Sequence, residues 1–277
     1  MSKKRTPRLL SLMNDLPHGL LVDTAWLTAR GIDYKSIHYY VEQRWIERIV
    51  RGVYRRPLPK GAISTYLPWQ AIAISLQRLH GYNVHLGGKI ALNIAGHSHY
   101  VMMGKSQPVH LYGDVPPWVK RLPATDRIVV RNTSLFGDST LGIIDNHPVH
   151  PSRQWAVGIW RWPLRASSPE RAILELIDEL PKHISFEYVQ LTLEMMRNAD
   201  PELLMELLKI CRSIKVKRLF FVYAEFLELD WVKDLDPDQI DFGKGPRALV
   251  PGGDFESKYQ ISLPKYFLNR YYEGFCF

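Results

Sequence analysis

Four arginines, Arg48, Arg51, Arg55 and Arg56, fall within nine consecutive residues. Guanidinium groups at that density suit an array of phosphates, because the planar fork donates to phosphate oxygens and stays charged at physiological pH. Just upstream, Lys35, Ser36, His38, Tyr39 and Gln43 form a second set. Their side chains can donate to, or accept from, base edges and backbone oxygens. A face that only meets water more often carries Glu and Lys at i,i+4 spacing. Four phosphate contacts from the arginines would give a log–log salt slope of roughly −3.6 on a duplex.

The elements that must position these groups can be read around them. Residues 7–14 suit a short helix with Pro7 in its first turn. The apolar run 19–22 is a strand or an entry to the next helix. Asp23 or Thr24 can cap a helix over 24–29, which stops at Arg30-Gly31, and Asp33 can cap a third helix from Tyr34 to about Gln43. Two short helices joined by a Gly-containing turn make a helix-turn-helix. In the third helix Ile37, Tyr40 and Val41 share the inward face, which leaves Lys35, Ser36, His38, Tyr39, Glu42 and Gln43 outward. Residues 45–56 then read as a β-hairpin that turns at Arg51-Gly52, the wing of a winged helix. A wing so placed lies over the sugar-phosphate backbone or dips into a minor groove, where Arg is favoured.

Charge supports this placement. Residues 1–60 hold 12 Lys+Arg against 5 Asp+Glu, while the other 217 hold 24 against 23. Nearly all of the net +8 therefore sits in the N-terminal unit, which suggests a polyanionic partner for that unit alone. With 277 residues, 46% hydrophobic and 23% charged, the chain is expected to be globular with two domains. Only Cys211 and Cys276 are present, which excludes a disulfide scaffold and a Cys-based zinc site and fits a reducing cytoplasm. No run of 18 apolar residues and no signal peptide is found, so a cytoplasmic location without membrane contact is expected.

The expected fold class is α+β. A winged helix-turn-helix occupies 1–60. A C-terminal domain spans 61–277, with a mixed α+β part over 61–165 and a helical array and tail over 166–277. A helix is expected over 68–80, a short helical stretch over 86–92, and strands near 109–112, 127–131 and 141–144. Ser168-Pro169-Glu170, Ser185 and Asp200-Pro201-Glu202 are helix starts. The stripes Ile173/Leu176/Ile177, Leu204/Leu207/Leu208/Cys211 and Val216/Leu219/Phe220/Tyr223 follow at helical spacing. A short hairpin of strands around 248–250 and 259–263 closes the fold.

Several constellations do not complete. Gly87-Gly88-Lys89 lacks the first Gly and the Ser or Thr of a phosphate loop, having Asn83 and Ile90 there. His80, His85, His97, His99 and His110 offer no third ligand at a usual metal spacing. Asp234, Asp236 and Asp238 begin a calcium loop, but Gln239 and Gly245 stand where Gly and Glu are required. Asp254, Glu256 and Lys258 have the residue types of a magnesium nuclease in too short a span. No catalytic residue, metal or cofactor is assigned.

The segment from Leu10 to Tyr54, with its Arg51-Gly52-Val53-Tyr54-Arg55 ending, resembles the N-terminal winged helix of AbiEi antitoxins. These are transcriptional regulators of type IV toxin–antitoxin and phage-abortive systems. Ser-Ser-Pro-Glu-Arg-Ala-Ile-Leu-Glu at 167–175 and Pro-Gly-Gly-Asp-Phe-Glu-Ser-Lys-Tyr at 251–259 resemble the C-terminal domain of the same family. The resemblance implies binding to double-stranded operator DNA, usually at inverted repeats, and negative autoregulation of a bicistronic operon. It also implies a non-enzymatic antitoxin that counteracts a cognate nucleotidyltransferase toxin, with or without a stable complex. The Gly-Ser…Asp-x-Asp arrangement of such a toxin is missing from this sequence. Two other readings stay open: a plain winged-helix repressor whose C-terminal domain senses a ligand or dimerises, and a winged-helix-guided, metal-dependent nuclease.

Overall fold

The computed structural model describes residues 5–59, 67–97, 108–124, 126–147 and 163–267. They divide into two units. The first draws its described residues from Met1–Leu86, Gly104–Arg131 and Asp145–Arg165, the second from Gly87–Met103, Asn132–Ile144 and Ala166–Phe277.

The first unit opens with helix α1 (Arg5–Asp15), strand β1 (Leu21–Asp23), helices α2 (Thr24–Ala29) and α3 (Tyr34–Glu42), and strands β2 (Glu47–Val50) and β3 (Val53–Arg55). Each short helix begins where an aspartate can accept an orphan amide. Asp23 accepts from Trp26 N at 2.8 Å and Asp33 from Ser36 N at 2.7 Å. The apolar run at 19–22 enters strand β1, and the cap of α2 is Asp23 rather than Thr24. β3 pairs antiparallel with both neighbours, giving the order β1-β3-β2. Leu16, Leu20, Leu27, Ile37, Tyr40 and Ile46 are at most 1% exposed and fill the space between helices and sheet. Helix, strand, two helices and a hairpin, with the first strand beside the last, is the order of a winged helix-turn-helix.

The next helix, α4 (Trp69–Ile74), widens into a π-turn over Ser75–Leu79 instead of running regularly to residue 80. Ser75 accounts for this. Its hydroxyl donates to Ala71 O one turn back and accepts from Leu21 N at 2.8 Å, so it serves β1 and its own helix together. Two tryptophans add ties to the same region. Trp26 Nε1 donates to Leu79 O at 2.9 Å, and Trp118 Nε1, from the 3-10 turn Pro117–Arg121, donates to Asp23 Oδ2 at 3.1 Å. Strand β4 (His85–Leu86) pairs antiparallel with β5 (Val109–Tyr112), which pairs parallel with β6 (Ile128–Arg131). With β7 (Ile143–His147) and β8 (Leu164–Ser167) the sheet order is β6-β5-β4-β8-β7.

The second unit is helical: α5 (Gly88–Ile94), α6 (Pro169–Asp178), α7 (Phe186–Glu194), α8 (Pro201–Ile210) and α9 (Ile214–Leu227). Ser168, Ser185, Asp200 and Ser213 cap the last four through their side chains. The expected apolar stripes are buried throughout, each residue 2% exposed or less. Burying a side chain of this kind contributes about 1.5–3 kcal/mol.

Beneath the stripes lies a polar hub. Arg171 and Glu175, almost wholly buried, pair at 3.1 Å. Arg171 also donates to Ser139 O and Leu141 O, while Glu175 accepts from Ser167 Oγ and from Gly88 N at the start of α5. Every charge-bearing atom named has a partner, which is the condition for keeping an ion pair in a core.

The terminal strands depart from the expected hairpin. β9 (Arg247–Ala248), β10 (Asp254–Glu256) and β11 (Ile261–Leu263) form a sheet in the order β10-β11-β9. The hairpin joins β10 to β11, and β9 lies parallel to β11 on the other side. The buried Arg218 explains the parallel pair. Its Nη1 donates to Gly245 O and to Gln260 O, both at 2.8 Å, so one guanidinium holds the entries of both strands side by side. Among the described residues no helix is long and apolar enough to cross a membrane.

Candidate nucleic-acid interface

Gly31, at φ 73°, supplies the left-handed turn between α2 and α3. Helix α3 is closed by Gln43 and then by Arg44, a non-glycine residue at φ 56°. Arg44 N bonds back to Val41 O and Trp45 N to Tyr40 O, both at 3.0 Å. This left-handed cap turns the chain from α3 directly into β2. In the wing, Gly52 at φ 80° makes the turn, and its carbonyl accepts from both Thr24 N and Thr24 Oγ1, at 3.0 and 3.2 Å. Thr24 therefore ties the start of α2 to the wing turn, and the turn at Arg44 leads from α3 into the wing.

On α3, Lys35, His38 and Gln43 are exposed. His38 Nδ1 lies 3.1 Å from Glu42 Oε1 on the same outer strip. Tyr39 is half-buried, its ring edge-on to Trp45 at 5.7 Å. Ser36 differs from its expected outward position and is 2% exposed. It lies one turn from Tyr40, itself fully buried, so the two share the flank that meets the core. Val41 is only half-buried. Tyr34, at the start of α3, is 72% exposed, and Arg44 at its end is exposed as well. Sequence reasoning passed over Arg44, although its place between the helix and the wing was a usable signal.

The four wing arginines separate into two pairs. Arg48 and Arg51 are exposed. Arg55 is 8% exposed, and its Nε and Nη2 both lie 2.6 Å from Glu47 Oε1 across the hairpin. β3 is the central strand, paired on both edges, and all three of its residues are buried. Arg56 donates through Nη1 to Met13 O and to Leu16 O, the latter at 3.1 Å. It thereby satisfies carbonyls at the C-terminal end of α1, where a cation is also favoured by the helix dipole. Arg55 and Arg56 thus have partners inside the protein, while Arg48 and Arg51, with Lys35 and Arg44, present charge outward.

The other constellations have structural uses. Glu256 accepts from Lys258 N at 2.9 Å and Tyr259 N at 2.7 Å, so its carboxylate closes a turn. Lys258 Nζ and Tyr259 Oη both bond to Glu225. The Gly87-Gly88-Lys89 turn does begin a helix, but the Gly88 amide is held by the protein's own Glu175 at 2.9 Å. His99 lies outside the described residues. Among the described residues no group of three or more His, Cys, Asp or Glu is arranged to hold a metal ion. Cys211 is buried, which pushes its thiol up to about 11.

Two family models match the chain. One, transcriptional regulator, AbiEi antitoxin N-terminal domain, covers residues 5–103. The other, transcriptional regulator, AbiEi antitoxin, type IV TA system, covers residues 106–264. None of the curated proteins matches. The fold is similar to the crystal structure of RV2827C protein from Mycobacterium tuberculosis, with a TM-score of 0.54 and 16% identity over 93% of this chain and 90% of that one. At that identity the likeness speaks for the fold alone. The chain belongs to the AbiEi antitoxin family of transcriptional regulators of type IV toxin–antitoxin systems.

Proposed function

We propose that the protein represses its own operon by binding operator DNA through α3 and the wing, and that it counteracts a cognate nucleotidyltransferase toxin. The observation that carries the DNA-binding part is the run of outward cations Lys35, Arg44, Arg48 and Arg51, held on one helix–wing assembly. In this reading α3 enters a major groove. Lys35, His38, Tyr39 and Gln43 face bases, and Arg48 and Arg51 lie on phosphates. Ser36, Arg55 and Arg56 shape that surface from behind. Two outward wing arginines contribute roughly −1.8 to the salt slope, half the value for four.

The DNA half is tested with the full chain and a duplex from its own promoter. Arg48→Ala/Arg51→Ala should weaken binding to every sequence and flatten the salt dependence. Gln43→Ala should cost ~1–3 kcal/mol at particular bases. Identical behaviour of the two variants would contradict the division of labour. The antitoxin half is tested by expressing the neighbouring toxin gene with and without this protein and scoring growth. No rescue would refute it.

A further inference from the structure

The winged helix does not carry the only outward cations near the wing. The 3-10 turn Pro117–Arg121 ends in Lys120 and Arg121. Both are exposed, and neither makes an ion pair among the described residues. Trp118, in the same turn, is 5% exposed and donates its indole N–H to Asp23 Oδ2 at 3.1 Å. The other oxygen of Asp23 caps α2. The next residue, Thr24, donates twice to Gly52 O, and Gly52 follows Arg51 at the tip of the wing. The basic turn, the start of α2 and the wing turn therefore meet at Asp23–Thr24. Both carboxylate oxygens of Asp23 are engaged by N–H donors there, which blunts its repulsion of an incoming anion.

We propose that Lys120 and Arg121 extend the DNA-binding surface, contacting backbone phosphates next to those held by the wing. The proposal rests on the reading of the winged helix as a duplex binder and adds a contact element from a segment some sixty residues further along the chain. A duplex offers a phosphate every few ångströms, so a surface that follows it gains from each further aligned cation. The Trp118 bond fixes the turn in advance, so no loop has to be ordered on binding. Such contacts add affinity without reading sequence.

The test uses the full chain, its own promoter duplex and a scrambled duplex, with affinity measured by fluorescence anisotropy across a range of salt concentrations. Lys120→Ala/Arg121→Ala should weaken binding to both duplexes by a similar factor and reduce the log–log salt slope by about 1.8. The charge-keeping Lys120→Arg/Arg121→Lys should restore the slope. Lys233→Ala, a surface change in the second unit, should leave it unchanged. A slope that survives the double alanine change, in a variant that melts like the parent, overturns the proposal. So does an equal loss from Lys233→Ala, which would reveal only a bulk charge effect. If the unmodified protein binds neither duplex, the winged-helix reading falls as well. If Arg48→Ala/Arg51→Ala flattens the slope and the turn variant does not, only the extension falls.

Discussion

Removing either partner of the Arg171–Glu175 pair strands the other in a core where both side chains are 2% exposed or less. Arg171→Ala would also free the carbonyls of Ser139 and Leu141, and Glu175→Ala would free the Gly88 amide and the Ser167 hydroxyl. Each is expected to cost ~3–5 kcal/mol in urea denaturation, in the range measured when a buried pair is broken from one side. A loss well under that would mean water reaches the site. The wing arginines should divide in the same kind of experiment. Arg55→Ala should lower the melting temperature because Glu47 loses its partner, and Arg51→Ala should leave it unchanged. Cys211 gives a pH-dependent case. Its folded value of about 11 lies above the ordinary 9.0, so the thiol stays neutral in the folded protein where the unfolded chain ionises. Its contribution to stability is complete below about 9 and is lost as pH rises toward 11. Peptide mapping after iodoacetamide treatment at mildly alkaline pH should find Cys211 unmodified until the protein unfolds.

At the scale of elements, helix starts were legible because the cap is local: Asp33, Ser168, Ser185 and Asp200 each hold an amide two or three residues on. Strand neighbours were not, because pairing is decided at a distance. Nothing near Arg55 reveals that β3 is the central strand, and so an arginine expected to meet phosphate is instead buried and paired with the half-exposed Glu47. The same holds for β9, whose parallel alignment depends on Arg218 in a helix some thirty residues earlier. Ser36 was misplaced for a subtler reason. A nine-residue helix leaves its flank undecided, and the hydroxyl tolerates either side. Arg44 shows how such an element can be tested as a whole. An L-residue in the left-handed region costs about 1–2 kcal/mol, which Gly avoids, although Gly also adds entropy to the unfolded chain. Arg44→Gly should therefore leave stability equal or slightly raised while DNA affinity falls. Calorimetry and anisotropy on one preparation would separate the two effects. A variant that is less stable and binds equally well would show that the arginine serves the cap alone.

At the scale of the molecule, the charge asymmetry and the packing draw different boundaries. The excess charge ends near residue 60, but the packing of that segment does not. β1 rests on Ser75, the Trp26 indole on the Leu79 carbonyl, and the cap of α2 on Trp118. A fragment ending at Pro59 would retain the electrostatic attraction of the α3 and wing cations to a duplex and lose only that of Lys120 and Arg121. It would also lose three hydrogen bonds to Leu21, Trp26 and Asp23 and uncover the side of β1 that packs against Ser75–Leu79. Hydrogen bonds of this type each contribute about 0.5–1.5 kcal/mol net, and a segment this short has little stability to lose. The fragment should melt broadly and at lower temperature than the first transition of the full chain. It should bind its promoter more weakly at every salt concentration, yet with much of the salt slope retained, since the outward cations of α3 and the wing are all present. Circular dichroism and anisotropy on the two proteins would decide the matter. A fragment that melts sharply and binds as tightly as the full chain would show that the winged helix stands alone and that Ser75, Leu79 and Trp118 only decorate it.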